Sequence, residues 1–280
     1  MKYCIFTDID GTIFDHDLQR IPESTINALK IAKENGHKIF LSSGRCYPDV
    51  EEHFKALPID GMVLGCGGQI IIDNQLVFSQ SMPRDILLDI IHYLIKHDCG
   101  FTLEGEEKIY LYGHAVEMYR YWLSYLFEEN EVTNEQLDKL LETRNTYHYS
   151  KIQDEDYDHV LKMSFFSKDK QVIQDYINHM PDCLFAYFDS MSPGIHSGEF
   201  YMKDVNKATG MDVVLKHLNL PIENTIALGD SLNDKDMIQH ASIGIAMGNG
   251  QQALKDVADF VTKNIDQDGF EFALKKYGII

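Results

Sequence analysis

Two aspartates at positions i and i+2, Asp8 and Asp10, follow the apolar run Tyr3-Cys4-Ile5-Phe6-Thr7 and lead into Gly11-Thr12. A short apolar run reads as a buried strand, so its end aims both carboxyl groups from one rigid edge at the same small volume. Such crowding is costly without a cation. In a parallel α/β sheet, ligands bind in the crevice beyond the carboxyl ends of the strands, so geometry and chemistry point to one place. Asp and Gly are also common turn formers, and taken alone the string fits an acidic β-turn.

A second acidic string, Gly229-Asp230-Ser231-Leu232-Asn233-Asp234, follows another apolar run, Ile226-Ala227-Leu228. By itself it reads equally well as a helix N-cap with Asp234 in the first turn. Leu41-Ser42-Ser43-Gly44-Arg45 closes a third apolar run, where a hydroxyl and free backbone N–H groups can hold an anionic oxygen or form an ordinary turn. Lys207 opens a helix after Asp204-Val205-Asn206, and a cation is unfavourable at that positive terminus. A solvated surface lysine is the default for any single lysine. What unites these strings is their position: acidic strand ends far apart in sequence meet if their strands are neighbours.

The elements that must position them alternate. Strand Tyr3–Thr7, helix Pro22–Asn35 with Gly36 beyond its end, strands His37–Ser42 and Met62–Gly65, and a hairpin of Gln69–Ile72 and Leu76–Ser79 across Asp73-Asn74 occupy residues 1–82. From Pro83 the character changes to helix Arg84–His97, strands near Phe101–Glu104 and Ile109–Tyr112, and an aromatic-rich helical stretch with Tyr119, Tyr121, Trp122, Tyr125 and Phe127. Helical core packing is the simpler reading of that stretch, a ligand-pocket lining the other. A polar region reaches about Asp158, and strand His159–Phe166, helix Lys170–His179 and strand Leu184–Phe188 follow. After residue 190 the alternation returns with helix Lys207–His217, strand Thr225–Leu228, helix Lys235–His240, strand Ser242–Ala246, helix Gln251–Ala258 and strand Asp259–Thr262. Repeated strand and helix predict an α/β fold with a parallel sheet covered on both faces. The expected division is a core of residues 1–82 and 190–280 interrupted by an α+β insert, 83–189.

With 280 residues the chain is long for one compact core, and a core with a sizeable insert is the sensible prior. Its five cysteines show no CxxC spacing, which argues against structural zinc and a disulfide framework and for reduced, packed thiols in the cytoplasm. No signal peptide is expected at the N-terminus, and no segment has the apolar length of a membrane span. A formal charge of −19 opposes nonspecific attraction to nucleic acid or to an anionic membrane. An anionic substrate would then need positive charge supplied locally.

Together Asp8-Ile9-Asp10-Gly11-Thr12, Ser42-Ser43-Gly44-Arg45, Asn206-Lys207 and Gly229-Asp230-Ser231-Leu232-Asn233-Asp234 resemble, in order, the four motifs of the haloacid dehalogenase (HAD) superfamily. The likeness is to Cof-type phosphatases of class IIB, with a C2B-type cap inserted after the third strand, and it extends through Ala246-Met247-Gly248-Asn249 to Asp268-Gly269. It implies a Rossmann-like HAD core with an inserted α+β cap. By the same resemblance Asp8 is the nucleophile that forms an aspartyl-phosphate, and Asp10 is the general acid and later the base. An aspartate of ordinary pKa about 3.9 must hold a proton for the first of those roles, and a neighbouring carboxylate helps. Mg²⁺ is implied at Asp8, the Asp10 carbonyl and Asp230, oriented by Asp234. Ser43, the Gly44 N–H and Asn233 are implied to hold phosphate oxygens, with Lys207 neutralising Asp8 and the phosphoryl group.

Serine replaces the commoner threonine at Ser43, and Cys66-Gly67-Gly68 stands where many members have Asn-Gly-Ala. The expectation is a Mg²⁺-dependent phosphomonoesterase for a small phosphorylated metabolite, with sugar phosphates favoured by the family. It is expected to be a monomer or weak homodimer. A phosphosugar mutase with the same intermediate and a noncatalytic phosphosugar-binding regulator are the alternatives. Arg45, Tyr110, Tyr112 and Tyr187 are substrate-contact candidates by position alone; packing or surface roles compete for each.

Overall fold

The computed structural model describes residues 2–126, 133–192 and 194–280. Its strands are β1 (Cys4–Thr7), β2 (Lys38–Ser42), β3 (Gly61–Leu64), β4 (Gln69–Ile72), β5 (Gln75–Ser79), β6 (Gly100–Gly105), β7 (Ile109–Tyr112), β8 (Thr146–His148), β9 (Val160–Ser167), β10 (Leu184–Ser192), β11 (Ile195–Met202), β12 (Thr225–Gly229), β13 (Ile243–Ala246) and β14 (Phe260–Val261). They form two sheets, and the chain divides into two compact units.

The first unit comprises Met1–Arg45, Val50–Ser79 and Val205–Ile280. Its eight-stranded sheet runs β14-β13-β12-β1-β2-β3-β4-β5. Strands β14 to β3 are parallel, and β4 and β5 continue antiparallel. The β4–β5 hairpin turns at Asp73 and Asn74, both at positive φ, the backbone that a two-residue turn between twisted strands requires. Along β1, Cys4 and Phe6 join a core with Met211, Val214 and Leu215 of helix Lys207–Leu218 and with Met237 and Ile238 of helix Lys235–His240. Ile5 is just as deeply buried and, by the strand's period of two, faces the other side of the sheet. Both faces are therefore covered, and β1 is central.

That centrality carries the site. β1 pairs with β2 through Thr7 opposite Leu41, and with β12 through Thr7 opposite Leu228. The carboxyl ends of three strands that bear the acidic and hydroxyl strings thus lie side by side. Helix Glu23–Glu34, preceded by Pro22, ends before Gly36, whose positive φ reverses the chain into β2.

The second unit comprises Cys46–Asp49 and Gln80–Asp204. Its sheet, β10-β11-β9-β6-β7-β8, is antiparallel except for the β7–β8 pair. Phe101, Leu103, Met163, Phe165 and Phe200 pack one face against Leu87, Ile90, Ile91 and Leu94 of helix Arg84–Lys96 and Ile173 of helix Lys170–Ile177. Alternate residues of the same strands build a polar network. Lys162 Nζ lies 2.6 Å from Glu199 and 3.2 Å from Glu104, whose Oε1 accepts from Thr102 at 2.8 Å and from Ser164 at 2.5 Å.

Four elements differ from the sequence expectation. The polar region before residue 158 contains helix Asn134–Thr143 and strand β8; Leu137 and Leu141 give the helix its buried side, and a Thr133–Gln136 capping box starts it. Strand β11 pairs with both β10 and β9, so the second unit runs to Asp204 and not to 189. The chain also adds helix Gly269–Lys276. Among the aromatic residues expected on one helical stretch, Tyr119 lies in helix His114–Leu126. The side chains of Tyr121, Trp122 and Tyr125, all of Phe127, and the side chain of Tyr187 lie outside the described residues.

No helix among the described residues is long and apolar enough to cross a membrane.

At the edge of the first unit, His37 is buried and its Nδ1 accepts the Tyr3 N–H at 3.0 Å, a bond that needs the neutral imidazole. Burial, with smaller help from the Lys2 charge, lowers its pKa. The unfolded chain, with a histidine pKa of about 6.5, then takes up a proton that the folded chain refuses. This contribution to stability is fully present above about pH 6.5 and falls as the pH drops below that value. Urea unfolding at pH 7.5 and 5.5 should therefore show a larger acid loss for the wild type than for His37→Asn.

Candidate active site

The end of β1 leaves Asp8 with its N–H bonded to Leu228 of β12 at 2.9 Å, which pins the Asp8 backbone to the strand bearing Asp230. Lys207, at the start of its helix, is 1% exposed and reaches Asp8 Oδ1 at 2.6 Å and Asp234 Oδ1 at 2.5 Å. Asn206 caps that helix by accepting the Thr209 N–H, so the unfavourable cation beside it is fixed in place. Asp234 is fully buried, and its Oδ2 accepts the N–H groups of Asp230 and Ser231 at 2.9 and 3.0 Å. One carboxylate therefore anchors the lysine and folds the loop that presents Asp230.

Gly11 has φ +79°, and a Cβ there would lie 2.5 Å from Asp230 Oδ2. Only glycine lets the two acidic loops approach this closely. Asn249 ties the same loop to the C-terminal segment, donating to the Gly11 carbonyl at 2.8 Å and accepting the Ile265 N–H at 2.9 Å.

Asp8, Asp230 and Asp234 each offer an oxygen within 4.8 Å of the others. Burial, and then the Asp234 charge, raise the Asp8 carboxyl well above the usual carboxylate range despite Lys207. The same two causes push Asp230 up to about 7. Burial opposes the charge on Lys207, but Asp234 and Asp8 outweigh it and hold the ammonium above the usual lysine range. Three carboxylates against one ammonium, all with hard oxygen donors, make a donor set that fits a small hard divalent cation.

The Asp10 carboxylate is held by partners outside that cluster. Arg45 grips it with Nε on Oδ2 at 2.9 Å and Nη2 on Oδ1 at 2.7 Å, and His16 Nε2 lies 2.9 Å from Oδ1. Burial would raise this carboxyl, but the hydrogen bonds from His16 and Arg45 override it and hold the group below the usual range. The second terminal nitrogen of Arg45 binds Glu51. Ser43 Oγ accepts the Arg45 N–H at 3.2 Å. A Cβ on Gly44 would lie 3.9 Å from Asn233 Nδ2, so these two phosphate-holding candidates share one wall. Asn233 Oδ1 accepts from Ser231 at 2.7 Å.

The structure thus gathers Asp8, Lys207, Asp230 and Asp234 into one buried cluster and brings Gly44 up to Asn233. Arg45, a substrate-contact candidate by sequence, is engaged by Asp10 and Glu51. Sequence reasoning missed His16 and Glu51, both in segments without a motif; an acid six residues after Arg45 was the only trace of the Arg45–Glu51 pair. Tyr110, another contact candidate, donates to Asp156 at 2.6 Å within the second unit, and Tyr112 stacks on Phe101 there.

A sequence model of the haloacid dehalogenase-like hydrolases matches residues 5–274. The chain belongs to this family. Its fold is the family's Rossmann-like core with a parallel sheet and an inserted α+β cap. Phosphatase YwpJ of Bacillus subtilis (strain 168) is 28% identical, covering 97% of this chain and 98% of that protein. The 5-amino-6-(5-phospho-D-ribitylamino)uracil phosphatase YitU of the same organism is 25% identical, over 98% of this chain and 97% of that one. Among solved structures, the HAD subclass IIB sugar phosphatase BT4131 superposes with a TM-score of 0.77 at 26% identity, covering 100% of both chains.

Removing one member of a buried ion cluster leaves the others uncompensated. Lys207→Met should lower stability by about 3 kcal/mol or more, read by urea unfolding of the metal-free protein.

Proposed function

We propose that this HAD enzyme is a Mg²⁺-dependent phosphatase that hydrolyses the monoester of a small phosphorylated metabolite, a sugar phosphate in preference. The observation that carries the reading is the buried Asp8, paired with Lys207 and crowded by Asp230 and Asp234 at the carboxyl edge of the sheet. A binding protein gains nothing from a nucleophile held beside two repelling acids. The sugar-phosphate preference leans on the similarity to the sugar phosphatase BT4131 and to the 5-amino-6-(5-phospho-D-ribitylamino)uracil phosphatase YitU.

In the first half of the reaction an Asp8 oxygen attacks phosphorus, the ester P–O bond breaks, and Asp10 gives a proton to the departing alkoxide to yield the alcohol. In the second half Asp10 takes a proton from water as its oxygen attacks phosphorus, releasing inorganic phosphate and restoring Asp8. Lys207 opposes the protonation of Asp8 and offsets phosphoryl charge, while Ser43, the Gly44 N–H and Asn233 bind the non-reacting oxygens. Asp8, the Asp10 carbonyl and Asp230 would hold Mg²⁺, with Asp234 orienting them. The ion would supply a counter-charge for three carboxylates and the phosphate dianion. Arg45 and His16 hold Asp10 in the ionised form that accepts a proton from water, not in the protonated form that a neighbouring carboxylate was expected to favour. Asp10 must therefore take up a proton before it can serve the first half.

The chain's cysteine usage, with no disulfide among the described residues and four of the five thiols buried, is in keeping with a cytoplasmic location.

Phosphate release should be measured over a panel of phosphorylated metabolites with Mg²⁺ and with EDTA. Turnover should stop in EDTA and return with excess Mg²⁺. Asp8→Asn should lose about 10⁴-fold in kcat while unfolding cooperatively like the wild type; substantial residual turnover in that variant would sink the mechanism.

A further inference from the structure

His16 belongs to no motif, yet its placement is over-determined. Asp15 Oδ1 accepts the N–H groups of Asp17 and Leu18 at 2.9 and 3.1 Å, and Asp15 and Arg20 exchange both backbone hydrogen bonds at 2.9 and 3.2 Å. The Gln19 side chain donates to the His16 carbonyl at 2.7 Å. The imidazole stands edge-on to Phe14 at 5.1 Å, and Phe14 meets Phe54 edge-on at 5.5 Å. The Arg45 guanidinium lies over Phe54 at 5.3 Å. One aromatic pair therefore supports both groups that grip Asp10.

The two grips differ in kind. A guanidinium has only donors, so Arg45 can only donate to the Asp10 oxygens. An imidazole offers a donor or an acceptor at Nε2, so the 2.9 Å contact to Asp10 Oδ1 can persist whichever atom carries the proton. His16 is more than half exposed, where an ion pair adds little to stability.

We propose that His16 is a positioning residue that keeps the Asp10 carboxyl aimed at the leaving oxygen, and later at water, in both halves of the reaction. The inference rests on the aspartyl-phosphate reading above. It concerns proton delivery to the leaving group, so it predicts a dependence on leaving-group basicity that a folding defect would not produce.

The test compares p-nitrophenyl phosphate, whose leaving group departs without a proton, with glycerol 2-phosphate or whichever alkyl phosphate of the panel is turned over fastest. In the Mg²⁺-loaded full chain, His16→Phe should lower kcat on the alkyl phosphate about tenfold, with KM little changed and a distinctly smaller loss on p-nitrophenyl phosphate. His16→Gln, which keeps a donor and an acceptor, should recover most of the lost rate. Asp10→Asn should show the same leaving-group selectivity more strongly, and Asp8→Asn should silence both substrates. Equal losses on both substrates, a change in KM alone, or no rescue by glutamine would overturn the role of His16 and leave the phosphatase reading standing. Activity retained in Asp8→Asn, or no phosphate released by the wild type, would remove that reading and this inference with it.

Discussion

The structure is organised around a repulsion. Three carboxylates, Asp8, Asp230 and Asp234, are forced together at the carboxyl edge of a buried sheet, and one ammonium, Lys207, holds two of them. Taking such charges out of water costs several kcal/mol each unless they are paired and hydrogen-bonded. The fold meets that requirement with backbone N–H groups on Asp234 and a capped helix that delivers Lys207. What remains uncompensated is a negative potential that only a cation can settle, and this residual demand makes the edge a place for chemistry.

Asp10 is the exception that completes the division of labour. It leaves β1 beside Asp8 but is claimed by Arg45 from the end of β2 and by His16 from the loop after Phe14. Two aspartates separated by one residue thus occupy opposite electrostatic environments. Burial and like charge drive Asp8 toward its protonated form, while two nitrogen-bearing side chains hold Asp10 charged. Environment, not residue type, sets the two apart.

Much of this was legible from sequence, because strand ends and motif residues are local. The acidic strings, the Asn206-Lys207 start and the strand–helix alternation each left a mark in a few consecutive residues. What was not legible depended on partners remote in sequence. Arg45 read as a possible substrate contact because nothing local shows that Asp10 and Glu51 will claim it. His16 left no mark at all, since a histidine in a polar loop acquires meaning only when the loop folds back onto β1. In the second unit, β11 escaped because Ile195–Met202 mixes Ser, Gly and Glu with its apolar residues, and only its pairing with β9 and β10 makes it a strand. Helix Asn134–Thr143 was hidden by an acidic, polar sequence whose leucines mark just one side.

The pairing of β1 with β12 joins Cys4 to Thr225, across most of the chain. Loop-closure entropy and vectorial synthesis both place that contact late. Until β12 emerges, the early strands carry an unpaired edge at β1, the position that becomes the centre of the finished sheet, while the intervening unit has its own core and can settle first. The lysine and the second acidic loop arrive in that same final stretch. A nascent chain therefore holds Asp8 and Asp10 long before it holds the groups that give them their separate roles, and reactivity comes only with the closing of the sheet.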